Sequence, residues 1–367
     1  MKKRFGVAAI ALASGCAFIF AGCAGCASCG NNGKANEAAF SSNWYADTNF
    51  KYIQPTFTEG NDNFKKEEIV YTVKHDKEAA SNTSYSVDYS DGEYTTTFYA
   101  TKFEKSKIDA DYREAYPDDI TVYCYETKLD VPSVTFTVNG QTSEPYHNTL
   151  TTVSYFMDVN NHLKPLYSEQ QVDMASPAEL QVSSLEEAYI TVKQTVKTSY
   201  KYDSSAAKTV ITEDGKDKTI TTEGLDKTDN SLIDVNGLNI AIRAMQLSDS
   251  LNQVISVYST SGKMQSYTYS GSSTGLGEEE RKGFEGILEG KQLYVSGEGK
   301  SLHTVCVSCT LNASNDMNGV SQKYWFAAID NVKNNKGRAT LVKMSVPLTF
   351  NLGTLNYSLK EITSTLY

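Results

Sequence analysis

Short segments rich in threonine, valine, tyrosine and phenylalanine recur along most of the chain, and they constrain its fold more than any other feature. β-Branched and aromatic side chains fit the pleated, half-buried surface of a sheet. Glycine, asparagine, aspartate and proline separate the segments, as expected for turns. The chain is therefore predicted to be mainly β, with strands near residues 69–73, 85–89, 94–99, 120–129, 134–138, 150–157, 189–198, 209–222, 254–258, 264–269, 293–295, 302–311, 323–329, 338–346 and 355–362.

Three dipeptides between these segments indicate tight turns, and therefore antiparallel hairpins. Asp91-Gly92 is the strongest of them, because aspartate followed by glycine favours the two-residue turn that matches the twist of paired strands. Asp214-Gly215 and Ser261-Gly262 divide two later pairs of segments in the same way.

Two helices and one domain boundary interrupt the strands. Residues 238–247 have apolar side chains at helical spacing behind a possible cap at Asp234 or Asn236, and residues 278–288 form a second helical patch. The strand pattern weakens between 176 and 184. We therefore expect two lobes of antiparallel, strongly curved sheet (sandwich or half-barrel), an N-terminal lobe at 43–175 and a C-terminal lobe at 185–367, with the short helices in the second.

The N-terminus resembles a bacterial lipoprotein signal peptide. Met1-Lys2-Lys3-Arg4 is basic, and residues 5–28 carry no charge, which is the pattern of an export signal. Cys23 follows Phe20-Ala21-Gly22 and is the best candidate for lipidation, with Cys29 as the alternative because a polar stretch follows it. The expectation is a signal peptide at 1–22, a flexible tether at 23–42, and a lipid anchor on the outer side of the cytoplasmic membrane. An uncleaved anchor helix over 5–28 would place the body in the same compartment.

The charge balance excludes some partners. Cleavage before Cys23 removes three basic residues and takes the formal charge from −10 to −13. A surface of this sign repels phosphate backbones, so nucleic acid is not expected as a partner.

No motif for catalysis, a cofactor or a metal is convincing. Cys306 and Cys309 form a Cys-x-x-Cys motif, but in a β-branched run where strand geometry would separate the thiols. Residues 271–275 match Gly-x-Ser-x-Gly, yet consecutive strands are not the alternating pattern in which that motif supplies a nucleophile. The four histidines are not spaced as metal ligands. We therefore predict no catalytic residue, no cofactor and no metal site.

The second half resembles an uncharacterised β-rich bacterial envelope family that is known only as a domain of unknown function. The resemblance rests on 234–247 with Arg243 inside the helix, on Gln322-Lys323-Tyr324-Trp325-Phe326, and on 338–344, and it covers roughly residues 185–365. It implies a strongly curved antiparallel sheet wrapped around or against a helix, a geometry shared by carriers of lipids and lipoproteins. It implies no catalytic residue.

Three functions agree with these features. The first is non-catalytic binding or carriage of an amphipathic ligand, a lipid or a glycan, in a tyrosine-lined concavity, since tyrosine presents an apolar ring with a polar tip and the chain has 24 of them. The second is a structural or adhesive surface lipoprotein without a small ligand. The third is an envelope hydrolase.

Overall fold

The computed structural model describes residues 10–11, 18–19, 66–159, 162–225, 232–243, 247–291, 294, 301–311, 321–327 and 339–364. Most of them lie in strands of one large sheet that closes into a barrel. The predicted fold class is confirmed in its main terms: the protein is mainly β, the sheet is antiparallel apart from one short pair, and the helices are few and short.

The N-terminal residues in this set form a small antiparallel pair, β1 (Ile10–Ala11) with β2 (Phe18–Ile19). The strands of the barrel are β3 (Lys66–Ala80), β4 (Ser86–Tyr89), β5 (Gly92–Lys102), β6 (Thr121–Val138), β7 (Gln141–Thr142), β8 (Tyr146–Val159), β9 (His162–Pro177), β10 (Tyr189–Tyr200), β11 (Ala206–Glu213), β12 (Lys216–Glu223), β13 (Ile233–Asp234), β14 (Asn252–Tyr258), β15 (Met264–Ser272), β16 (Thr304–Leu311), β17 (Ser321–Ala327), β18 (Leu341–Pro347) and β19 (Leu352–Ser364). The helices are α1 (Ala110–Arg113), α2 (Leu185–Ala188), α3 (Leu238–Arg243) and α4 (Glu278–Gly290).

The strand order follows the chain around most of the barrel. From β8 through β12, and again from β13 through β19, each strand neighbours the next in sequence. The barrel closes where β19 pairs with β3, the first of its strands. Between β3 and β8, strand β3 pairs with β5, and β6 pairs with β4, β5, β7 and β8.

Alternation along the strands separates an apolar interior from a polar exterior. In β5, for example, Tyr94 and Phe98 are buried while their neighbours Thr95 and Thr97 are half-buried on the outside. A period of two is what a strand with one buried face requires. Tyrosine fills much of the interior, and the largest fully buried side chains include Tyr71, Tyr94, Tyr200, Tyr258, Tyr267, Tyr269, Tyr324 and Tyr357.

Helix α3 lies inside the barrel, and all six of its residues are buried. The predicted helix therefore exists, and it begins at Leu238 as expected. Asp234 caps the 3-10 turn before it, since its carboxylate accepts a hydrogen bond from the backbone N–H of Asn236 at 2.7 Å. At the other end of α3, the guanidinium of Arg243 donates to both carboxylate oxygens of Glu67 on β3. A sheet wrapped around a helix is the geometry that the family resemblance implies.

Two segments cover the outer face of the barrel. Helix α4 confirms the helical patch predicted at 278–288 and buries Phe284 and Leu288. Glu280 on it pairs with Lys343 of β18 at 2.8 Å. The connection from β5 to β6, which contains α1, buries a small apolar cluster of its own against the outside of the sheet. The outer surface between these two covers is where the polar clefts described below lie.

The hairpin predicted at Asp91-Gly92 is wrong. Strands β4 and β5 run one after the other along the same partner, β6, with Tyr89 opposite Val134 and Glu93 opposite Asp130. Gly92 sits where the two backbones come close, since a Cβ on it would lie 2.6 Å from the carbonyl oxygen of Asp130. Glycine is required here for close approach rather than for a turn.

The chain reverses earlier, at 81–85. There the Asn82 side-chain oxygen accepts hydrogen bonds from the backbone N–H groups of Ser84 and Tyr85 at 2.8 and 3.1 Å. The other predicted turns are confirmed: Asp214 and Gly215 join β11 to β12 with φ of 50° and 70°, and Gly262 lies between β14 and β15.

The sheet is continuous across the predicted boundary at 176–184. Strands β9 and β10 pair there over eleven positions, from Tyr189 opposite Pro177 to Ser199 opposite Tyr167. Side chains from both sides of the boundary also belong to one core. The ranges 43–175 and 185–367 thus share a sheet and a core, and their independence as domains stays a prediction.

The predicted signal peptide and tether fall largely outside the described residues, as do Cys23 and Cys29. Within the described part of the chain, no helix is both long and apolar enough to span a bilayer.

Candidate functional site

A continuous polar groove crosses the outer face of six neighbouring strands, β5, β6, β8, β9, β10 and β11. Three clefts of about 490, 500 and 280 Å³ form it. The first two share Thr151 and Gln171, and the second and third share Glu93, Thr95 and Lys128. We call this feature the outer groove. Five strand spacings of about 4.8 Å make it about 24 Å long.

The floor of the outer groove is one row of residues at the same register on successive strands. Thr95 lies opposite Lys128, Lys128 opposite Thr151, and Thr151 opposite Gln171. The row continues from Gln171 to Thr195 and from Thr195 to Thr212. We call these six residues the central row. Short threonines thus alternate with the longer Lys128 and Gln171 over its first five positions.

The threonines of the central row present both a methyl group and a hydroxyl at a half-buried position. Thr212 donates its hydroxyl to Asp217 at 2.6 Å. Within the described chain the hydroxyls of Thr95, Thr151 and Thr195 make no hydrogen bond to another protein group. These three hydroxyls are therefore available to a ligand.

Carboxylates flank the central row on one side, and each has a cationic neighbour. Asp130 accepts from His147 Nε2 at 2.8 Å and pairs with Lys128 at 3.2 Å. Asp173 pairs with Lys193 at 2.7 Å. The hydrogen bond from His147 holds the pKa of Asp130 below its usual value, and that from Lys193 does the same for the pKa of Asp173. The carboxylates of Asp130 and Asp173 are therefore ionised at neutral pH. Each keeps acceptor sites for a further donor.

The other side of the central row combines carboxylates with tyrosines. Tyr99 donates to Glu126 at 2.6 Å, and Tyr167 donates to Glu169 at 2.8 Å. Tyr155 lies between these tyrosines on β8 and is half-buried, with the ring of Phe103 at 5.2 Å and the ammonium group of Lys107 at 5.8 Å from its centroid. Burial raises the pKa of all three tyrosines, so they remain neutral hydroxyl groups.

The barrel interior contains a second polar cluster, around Asp234. Its carboxylate accepts from the hydroxyls of Ser168, at 2.8 Å, and Tyr200. Burial raises the pKa of Asp234 against the opposing effect of these hydrogen bonds. Ser168, Tyr200 and Asn236, which contact this carboxylate, are all buried, so the cluster positions the start of α3.

The motifs discounted from the sequence do not assemble into a site. Cys306 and Cys309 are both buried on β16 and are not joined in a disulfide, and burial raises the pKa of Cys306. In the Gly-x-Ser-x-Gly segment, Ser273 is exposed in the loop between β15 and α4. The hydroxyls of Ser272 and Thr274 form a hydrogen bond of 2.8 Å with each other. Among the described residues, no three or more His, Cys, Asp or Glu side chains are grouped to hold a metal ion.

Sequence reasoning missed the outer groove as a site. Five of the six strands that form it overlap predicted segments, but β9 was not predicted. The register was not predicted either, and register decides which side chains share a row. Alternating threonine at 95 and 97, at 149 and 151, and at 195 was the available signal, because a period of two places those residues on one face.

Comparison with known proteins finds a similar solved structure but no matching family or curated sequence. No family model matches the chain, and no curated protein matches it significantly. A β-barrel-like protein of the domain of unknown function DUF1849 from Brucella abortus is similar in structure, with 9% sequence identity and a TM-score of 0.42. The match covers 82% of this chain and 98% of that one.

Proposed function

We propose that the protein is a lipid-anchored, extracytoplasmic β-barrel that binds a glycan in the outer groove without transforming it. The observation that supports this proposal most is the groove itself. It is a concave strip about 24 Å long on neighbouring strands, and it is lined by threonine, glutamine, aspartate, glutamate and lysine. Cleft volumes of about 490 and 500 Å³ lie in the range of small-molecule sites.

The groove has the donors and acceptors that a glycan needs. Sugar hydroxyls both donate and accept hydrogen bonds. The carboxylates of Glu126 and Glu169 accept them, and Gln171 and the threonine hydroxyls can do both.

A glycan fits the structure better than a lipid. The tyrosines expected to line an apolar concavity, such as Tyr71, Tyr94 and Tyr357, are fully buried in a packed interior with α3 among them. The described clefts instead lie outside the sheet and are lined mainly by polar and charged residues. A ligand with many hydroxyls suits them, and an acyl chain does not.

The first test is a glycan microarray probed with the full-length lipidated chain in nanodiscs. Gln171 is shared by the two larger of the three clefts that form the groove, so Gln171→Arg should fill the groove and abolish the glycan signal. Gln141→Arg is the matched control, because Gln141 is exposed on β7 away from the groove. An array without any signal from the wild-type chain, or an unchanged signal from Gln171→Arg, would refute the proposal.

The anchor has its own test. In cells fed radiolabelled palmitate, Cys23→Ser should lose the label and leave the membrane fraction, while Cys29→Ser should keep both. The reverse result would assign the anchor to Cys29, and a label retained by both variants would refute lipidation at either position.

The packed interior is the observation that favours the alternative, a structural or adhesive surface lipoprotein. In that case the protein would bind no oligosaccharide, and its partner would be another envelope macromolecule. The same microarray decides between the two.

A further inference from the structure

We infer that the ligand of the outer groove is a neutral, extended β-linked oligosaccharide that lies across the strands, with each disaccharide unit spanning two of them. This inference rests on the proposed function and adds the chemical class and the direction of the chain. It follows from the spacing of the central row, from the charges on both sides of it, and from the length of the groove.

The central row has a repeat of two strands. A threonine on β5, β8 and β10 alternates with a long polar side chain on β6 and β9, namely Lys128 and Gln171. Two strand spacings amount to about 9–10 Å. A β-1,4-linked chain is extended, and each ring is turned over relative to the one before, so equivalent groups recur at every second ring over about the same distance. An α-1,4-linked glucan coils and would leave a straight row.

The charges around the row select a neutral chain. The lining of the three clefts includes seven acidic side chains, Asp91, Glu93, Glu126, Asp130, Glu169, Asp173 and Asp214, and two lysines, Lys128 and Lys193. This excess of negative charge opposes an anionic polymer.

A cationic chain is not favoured either, because protein cations already neighbour most of the flanking carboxylates. Glu93 pairs with Lys360 at 3.0 Å, and Glu169 lies 4.0 Å from Lys197. Asp130 and Asp173 pair with Lys128 and Lys193. The negative charge of these four carboxylates is therefore balanced by neighbouring lysines, yet their oxygens can still accept further hydrogen bonds. The groups that best complement them are uncharged hydroxyl and amide donors.

The length of the groove sets how many sugar rings it can hold. About 24 Å corresponds to five strand spacings, which is the length of two to three disaccharide units. A hexasaccharide would therefore contact the whole central row, while a disaccharide would contact only two of its strands.

The test is isothermal titration of the full-length chain in nanodiscs with three probes: chitohexaose, chitobiose and an anionic hexagalacturonate. We expect chitohexaose to bind, chitobiose to bind more weakly, and hexagalacturonate not to bind. Thr151→Val and Thr195→Val keep the β-branched shape but remove a hydroxyl. Each should weaken chitohexaose binding by about 2- to 12-fold, the effect of one lost hydrogen bond. Thr219→Val, at an exposed position on β12 outside the groove, should not.

The outcomes separate this inference from the proposed function. Equal binding of hexagalacturonate and chitohexaose would overturn the inference while leaving glycan binding in place. Unchanged affinity in both threonine variants would also overturn it, since the chain would then not follow the central row. If no glycan on the microarray bound the protein, the proposed function would be refuted as well.

Discussion

The ion pair between Glu67 and Arg243 gives the sharpest prediction about the architecture. Both side chains are only 8% exposed, and the guanidinium donates to both carboxylate oxygens, with Nη2 to Oε2 at 3.0 Å. Burial disfavours the charge on Arg243, but the carboxylate of Glu67 more than offsets it, and the pKa of Arg243 is raised. The pair fixes the C-terminal end of α3 to β3 inside the barrel.

Glu67→Gln keeps the shape of the side chain but leaves the arginine charge buried without its counter-charge. Breaking a buried ion pair in this way costs about 3–5 kcal/mol, so the free energy of unfolding should fall by that amount. Glu68→Gln is the control, because Glu68 is the next residue on β3 and pairs with Lys66 at 2.8 Å on the surface. Such an exposed pair contributes about 0–1 kcal/mol.

The measurement is chemical denaturation of the full-length chain, followed by tyrosine fluorescence and circular dichroism. The double variant Glu67→Leu with Arg243→Met removes both charges and should recover most of the lost stability. A loss below about 1 kcal/mol in Glu67→Gln, no larger than that in the Glu68→Gln control, would refute the argument that α3 is held by this pair.

Two further predictions concern stability. The pKa of Asp234 is raised in the folded protein above its ordinary 3.8, so the wild type should lose stability relative to Asp234→Asn as pH rises from 3.8 through the folded pKa. Denaturation midpoints of both proteins, measured between pH 4 and 7, test this difference. Midpoints that change in parallel with pH would contradict the prediction. Gly92→Ala places a methyl group 2.6 Å from the Asp130 carbonyl oxygen and 2.8 Å from a Val131 methyl, and it should lower the free energy of unfolding by about 1–3 kcal/mol. Gly275→Ala is the control, because its methyl group would have no atom within 4 Å and should leave the denaturation midpoint unchanged. Equal midpoints for the two variants would contradict the requirement for glycine at position 92.

Local features of the fold could be predicted from the sequence because their causes lie within a few residues. Asp214-Gly215 adopts positive φ at both positions, which that dipeptide tolerates, and the strands on both sides pair directly. The start of α3 was predicted for the same kind of reason, since the Asp234 cap and the apolar spacing after it are local signals.

Features that depend on distant strands could not be predicted. Asp91-Gly92 carries the same turn signal as Asp214-Gly215, but the approach of β6 to Gly92 determines its role, and β6 lies some forty residues further on. The central row is another case, because Thr95 on β5 and Thr195 on β10 share it only through four successive pairings across three intervening strands. The sequence shows which residues alternate, and the register alone shows which of them meet.

The most direct test of the account is a crystal structure of the protein soaked with chitohexaose. We expect an extended chain of sugar rings on the outside of the barrel, crossing β5 to β11 over Thr95, Thr151 and Thr195. Sugar density inside the barrel, on the face covered by α4, or running parallel to the strands would contradict it.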